Sequence, residues 1–113
     1  MIMKYLKNIK PYVPVAMTDM VKHSANKIAS KALIDNENTE IRFFSFAEGE
    51  SIDKEYYVME TLFFIIEGSV KILYGEDNEI VLKKGEIAAL ESGINYGVEA
   101  LTDAKLFNIL VRA

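Results

Sequence analysis

The chain has 113 residues, a formal net charge of −4 and a hydrophobic share of 50%, with a mean hydropathy of +0.09. These values describe one folded domain with room for a core and one small pocket, and they exclude a disordered chain. The absence of cysteine, and a single histidine at His23, exclude disulfides, thiolate chemistry and any histidine cluster within one chain.

The charge is unevenly spread. Residues 1–31 carry six lysines against the single acid Asp19, while the remainder carries sixteen acids against seven bases, so the two parts stand at +5 and −9. The lysines are scattered and no arginine joins them. They therefore read as a segment lying on its own acidic body or on a partner subunit's, and no nucleic-acid partner is expected. The longest apolar run, Leu62 to Ile66, is far short of the ~20 residues of a membrane helix, so no membrane partner is expected. Residues 1–10 hold no apolar stretch of signal-peptide length, and the expected location is cytoplasmic.

In chain order, residues 1–25 read as a short irregular N-terminal arm and 26–113 as a β-rich body. Both prolines, Pro11 and Pro14, fall in the arm, and all six glycines fall between Gly49 and Gly97. Thr18 can cap a helical turn across Asp19–Ser24, and Val15–Met20 reads equally as an edge strand. Lys27–Ile34 alternates in part. Asn36-Glu37-Asn38 is turn material before the phenylalanine-rich Ile41–Ala47. Tyr56–Met59 and Leu62–Glu67 follow, and Val70–Tyr74 alternates cleanly. Gly75-Glu76-Asp77-Asn78 forms a hairpin loop into Glu79–Leu82. Lys83-Lys84-Gly85 turns into Ile87–Leu90, and after Gly93 come Tyr96–Ala100 and Lys105–Val111. Eight or more short strands at such turn spacings predict an all-β sandwich or barrel.

The glycine framework resembles that of the small single-domain cupins, whose two motifs are G-x5-H-x-H-x3/4-E-x6-G and G-x5-P-x-G-x2-H-x3-N. Gly49 opens the first motif and Gly68 closes it, while Gly85 and Gly93 frame the second. Over residues 26–112 the resemblance implies a cupin-like double-stranded β-helix, a jelly-roll barrel. It also implies that the metal-binding positions have been replaced. The two histidine positions of the first motif fall at Glu55 and Tyr57, and its glutamate position at Thr61. In the second motif the proline position falls at Glu91, the histidine position at Tyr96 and the asparagine position at Ala100. The metallo-chemistry of the family therefore does not transfer, and neither a metal nor a cofactor is expected. Glu60, one residue from the glutamate position, points to the opposite face of its strand. His23 lies outside both motifs and reads as a surface histidine.

If the alignment holds, Glu55, Tyr57, Thr61 and Tyr96 converge in the barrel mouth, with Phe63 below them. Such a set of rings and hydroxyls can bind a small molecule. It can equally be a filled barrel whose hydroxyls satisfy one another. Tyr56 and Tyr57 are neighbours, so only one of them faces inward. The alternatives are an isomerase- or oxygenase-type enzyme working through an unusual Glu/Tyr site, with or without an oxygen-preferring ion, and a purely structural homodimeric barrel. The acids Glu48, Glu50 and Asp53 read as a solvated turn. In Leu62–Ile66 both faces of the strand are apolar, so the outer face needs a second cover. A second sheet, the arm or another subunit can supply it, and the family resemblance implies a homodimer.

Overall fold

The computed structural model describes residues 3–112, and the architecture is all-β. A single turn of 3-10 helix, Met17–Asp19, interrupts an otherwise irregular arm. Nine strands follow: β1 (Ile28–Asp35), β2 (Thr39–Phe46), β3 (Ser51–Tyr57), β4 (Glu60–Glu67), β5 (Ser69–Tyr74), β6 (Asn78–Lys83), β7 (Ile87–Leu90), β8 (Ile94–Ala100) and β9 (Ala104–Val111). They form a five-stranded sheet in the order β1-β2-β9-β4-β7 and a four-stranded sheet in the order β3-β8-β5-β6. All the pairings are antiparallel.

Strand β3 begins earlier than its apolar run suggests, because Ser51, Asp53 and Lys54 are polar and the segment is bulged, and β8 begins two residues before Tyr96, at Ile94. The register slips between Ile52 and Glu55, so that Ile52 faces Val98 and Glu55 faces Tyr96. The bulge accounts for Gly97. A Cβ there would sit 2.6 Å from the Ile52 carbonyl oxygen and 2.9 Å from the Lys54 nitrogen, so only glycine lets the bulged backbone approach. Neither reading for the end of the arm holds as drawn: the one helical turn is 3-10 at Met17–Asp19, preceded by Ala16 with Thr18 inside it and no side-chain cap, and Val15–Met20 forms no strand.

The inner faces of the sheets share one core, in which Phe46, Phe63, Val70, Ile72 and Leu106 are almost wholly buried. The outer face of the larger sheet carries a separate aromatic ladder. Phe43, Phe107 and Phe64 stand in register across β2, β9 and β4, with ring centroids 4.9 and 4.4 Å apart. Period-two alternation places Phe43 on the face opposite Phe44 and Phe46.

The arm covers part of this ladder with Met20 and Val21, which pack with Phe43. Its path is pinned by main-chain and side-chain bonds. Lys7 N donates to the Leu33 carbonyl and Asn8 Nδ2 to the Ala32 carbonyl, both at 2.8 Å. Lys105 Nζ donates to the Thr18 carbonyl. Beyond these anchors the arm leaves Tyr12, Val13, Val15 and Met17 exposed.

Candidate functional site

The inward positions of the strands change character along the barrel. On β2 they run Phe46, Phe44, Arg42, Glu40, and on β9 Ala104, Leu106, Asn108, Leu110. Arg42 pairs with Asn108, which in turn pairs with Phe63 on β4. Charged and amide side chains thus sit in one cross-strand row, two residues from a wholly apolar layer.

At this polar end lies a cavity of about 300 Å³, lined among others by Glu40, Arg42, Phe44, Tyr57, Tyr96 and Asn108. Phe46, Phe63 and Leu106 contribute to its apolar lining. Asn108 is only 7% exposed, and its Oδ1 is buried without a hydrogen-bond partner. A buried amide oxygen left unpaired costs on the order of 1–3 kcal/mol. Asn108 itself is among the lining residues, so the barrel carries an amide on a face where its strand neighbours are leucines, a polar group of the kind that orients a ligand.

The five residues aligned with or beside the replaced metal positions are distributed unevenly around this cavity. Tyr57, Phe63 and Tyr96 line it. Tyr57 stacks on Tyr96 with centroids 4.0 Å apart and planes 13° from parallel, and Phe63 meets Tyr96 edge-on at 5.6 Å. Thr61 is fully buried and is not among the lining residues. Its Oγ1 lies 2.8 Å from the Tyr96 hydroxyl, a bond joining β4 of one sheet to β8 of the other. Glu55 shares the Tyr96 face but is exposed, outside the lining. Of the adjacent tyrosines Tyr57 faces in, while Tyr56 is 64% exposed. His23 lies on the surface, with Nε2 3.7 Å from the Asp103 carboxylate.

Both inward phenols are held in the neutral form. Burial raises the Tyr96 pKa strongly from its ordinary 10.0, outweighing the lowering effect of the Thr61 hydrogen bond. Burial also raises that of Tyr57, and the negative charges of Glu55 and Glu40 add to the effect. This donor set does not fit the metal that the fold family usually carries. One position is a threonine already bonded to a phenol, and two are phenols whose surroundings oppose the phenolate a metal would need. Among the described residues no three acidic, histidine or cysteine side chains come together as a metal cluster.

Glu40, Arg42 and Asn108 lie outside the two family motifs, so no motif position singled them out. Arg42 is tied weakly on three sides. Its Nη1 donates to Ser30 Oγ at 3.2 Å, Nη2 lies 3.5 Å from Asp35 Oδ2 and Nε 3.5 Å from Glu40 Oε2.

Solved structures match this fold over nearly the whole chain. A cupin superfamily protein from Desulfitobacterium hafniense superposes with a TM-score of 0.89 at 25% identity, covering 97% of this chain and 100% of that one. The chain is a small cupin-fold barrel. A conserved protein of unknown function from Streptococcus pyogenes matches the barrel with a TM-score of 0.93 at 19% identity, over 98% of this chain and 96% of that one. A cupin 2 conserved barrel domain protein from Leptotrichia buccalis matches with a TM-score of 0.87 at 22% identity, over 96% of this chain and 51% of that one. No protein-family profile matches the sequence, and no curated protein sequence matches it significantly. The cupin fold hosts many functions, so the likeness supplies a scaffold and leaves the activity to be argued from the site.

Proposed function

We propose that this cupin-fold protein is a metal-independent module that binds a small organic molecule in the cavity between its sheets. The observation that carries the reading is Asn108, an amide buried on an inner barrel face with an unpaired oxygen, in the lining of a cavity of about 300 Å³. A barrel merely filled with side chains would place an apolar residue there, as its strand neighbours Leu106 and Leu110 do. The Thr61–Tyr96 bond supports the metal-independent part, since it engages two of the positions from which a metal would draw ligands.

A thermal-shift screen against sugars, organic acids, amino acids and amines tests the binding. A ligand at a hundred times its dissociation constant adds about 2.7 kcal/mol, which is several degrees for a domain of this size. The expected result is a shift in the native protein that Asn108→Phe, which fills the cavity, abolishes. No shift across the panel, or equal shifts in both proteins, removes the reading. Elemental analysis of untagged protein tests metal independence, and near-stoichiometric iron, manganese, nickel or zinc overturns it.

We also propose a homodimer. Its support is the apolar arm, where Tyr12 is 100% exposed and Val13, Val15 and Met17 are each about half exposed or more. The opposite charges of residues 1–31 and the remainder favour the arm of one protomer on the acidic body of another. Light scattering at micromolar concentration checks this, and a monomeric mass counts against it.

A further inference from the structure

Resting on the pocket reading above, we propose that the ligand is an uncharged, flat molecule of one or two aromatic rings with a hydroxyl or carbonyl group at one end. Its rings would lie among Phe44, Phe46, Tyr57 and Phe63, and its oxygen would meet the partly exposed row of Glu40 and Arg42. Three observations separate this class from its charged, its saturated and its larger relatives.

The first is that the charge of the cavity is cancelled within its own lining. Among the described residues Glu40 and Arg42 are the charged side chains that line it, and Arg42 Nε lies 3.5 Å from Glu40 Oε2. The phenols of Tyr57 and Tyr96 add no charge, since burial holds both neutral. Asp35 lies on the other side of Arg42, outside the lining, and its side chain is 45% exposed, so water screens it. A carboxylate ligand would meet Glu40 beside Arg42, and an ammonium would meet Arg42 beside Glu40. Either ion would leave water for a place where no opposite charge is free, and would recover little of its hydration there. An uncharged ligand carries no such cost.

The second is a wall of rings that is already assembled. Tyr57 stacks on Tyr96 and Phe63 meets Tyr96 edge-on, while Phe44 lies 5.8 Å from Phe46. All five line the cavity. Rings that hold one another need little reordering when a ligand arrives. Aromatic pairs also gain more than the area they bury, so this wall favours a flat ring over a saturated one of equal size.

The third is size and polar capacity. A cavity of about 300 Å³ is at the small end of ligand pockets and admits one or two rings. Arg42 contacts Ser30, Asp35 and Glu40 at 3.2 to 3.5 Å, and a guanidinium has more N–H donors than these three contacts use. It can therefore donate to one ligand oxygen without giving up its partners. A sugar would leave most of its hydroxyls against rings, without partners.

The test is an NMR titration of the isotope-labelled full chain at neutral pH with four probes of similar shape: 2-phenylethanol, phenylacetate, 2-phenylethylamine and 2-cyclohexylethanol. The expected result is that 2-phenylethanol binds about ten-fold or more tighter than either ion, and a few-fold tighter than its saturated counterpart. Phe44→Leu and Tyr57→Leu should each weaken it several-fold. Phe64→Leu, which alters the aromatic ladder on the outer face, should leave it unchanged. Two further variants test the cause of the preference. Glu40→Gln frees Arg42 from its partner in the lining and should raise phenylacetate to the level of the alcohol or above it. Arg42→Gln should do the same for the amine. Both side chains are partly exposed, so both variants should fold.

An ion that binds the native protein as tightly as 2-phenylethanol overturns the assignment and leaves the pocket reading intact. Equal binding of 2-cyclohexylethanol does the same, as does a preference that neither charge variant alters. Binding that Phe44→Leu and Tyr57→Leu leave unchanged puts the probe elsewhere and overturns the assignment too. If no probe binds at millimolar concentration the assignment also falls. A hit in the wider thermal-shift panel, abolished by Asn108→Phe, then separates its failure from that of the pocket reading.

Discussion

The two ends of this barrel are built from the same strands and hold opposite kinds of interior. At one end Val70, Ile72, Ala100 and Ala104 close the space between the sheets with apolar atoms alone. At the other, the same strands bring Glu40, Arg42, Asn108 and Tyr57 around a cavity. Neighbouring inward positions on a strand are only two residues apart, about 6.5 Å along its axis. The change from apolar to polar side chains therefore takes place within a single step on β2 and on β9. Stability is concentrated at the apolar end, and the polar end holds groups whose placement costs stability.

Substitutions at the apolar end should have the largest effects. Ile72 is 0% exposed, and Ile72→Ala leaves a cavity that should cost about 2–5 kcal/mol by denaturant or thermal unfolding. A loss below about 1 kcal/mol would mean that this end is less closely packed than its burial implies. Gly97→Ala comes next. It adds a methyl group that meets the Ile52 carbonyl oxygen at 2.6 Å, and the β3 bulge must shift to admit it at a cost of about 1–3 kcal/mol. Because β3 carries Tyr57, that shift should also reshape the cavity.

Much of this contrast was written in the strand patterns. In Thr-Glu-Ile-Arg-Phe-Phe-Ser-Phe, residues 39–46, period-two alternation puts Glu40 and Arg42 in phase with Phe44 and Phe46, so two charges share the core face. Asn108 stands likewise in phase with Leu106 and Leu110. A polar residue in phase with a core stripe was the available signal for Glu40, Arg42 and Asn108, while the family motifs led to Tyr57 and Tyr96 in the same cavity. The all-β class and most of the turns followed from the glycine spacing, and Asn36 does form its turn, accepting from the amides of Asn38 and Thr39. Alternation on one strand does not say which strands face one another. Thr61 and Tyr96 meet across the two sheets from 35 positions apart, and no local pattern encodes that distance. Nor did the polar stretch Ser51–Lys54 look like a strand, because its bulge turns side chains away from a strict period of two.

The Thr61–Tyr96 bond lies at the polar end, in the cross-strand row of Glu40 and Leu110, and breaking it should have a middle-sized effect. Tyr96→Phe leaves the fully buried Thr61 hydroxyl without its partner, a loss of about 1–3 kcal/mol. Thr61→Val combined with Tyr96→Phe should recover part of that loss, since neither group is then left unpaired. A double variant no more stable than Tyr96→Phe alone would show that the bond does not act as a unit.

A pH titration examines the same end of the barrel. Both phenols have their pKa raised in the folded protein above the ordinary 10.0. Above about pH 10 the unfolded chain therefore loses these protons while the folded one keeps them. With fewer protons bound in the unfolded state, stability falls as pH rises through the folded values. Unfolding followed from pH 9 upward should show this decline, and Tyr57→Phe with Tyr96→Phe should flatten it relative to a variant of the exposed Tyr56.

The smallest expected change has the opposite sign, and it bears most directly on what the polar end is for. Asn108→Leu replaces an amide whose oxygen is buried and unpaired by an apolar side chain of similar size, flanked by Leu106 and Leu110 on its own strand. It removes a desolvation cost and gives up no hydrogen bond made by Oδ1, so the variant should be more stable by about 0.5–2 kcal/mol. A melting point raised by a few degrees, with ligand binding lost, would mark Asn108 as a residue kept at the expense of stability because it meets something other than the protein itself. A lowered melting point would mean instead that the amide is satisfied within the folded chain. The polar end would then be another kind of core, and the difference between the two ends would be one of composition alone.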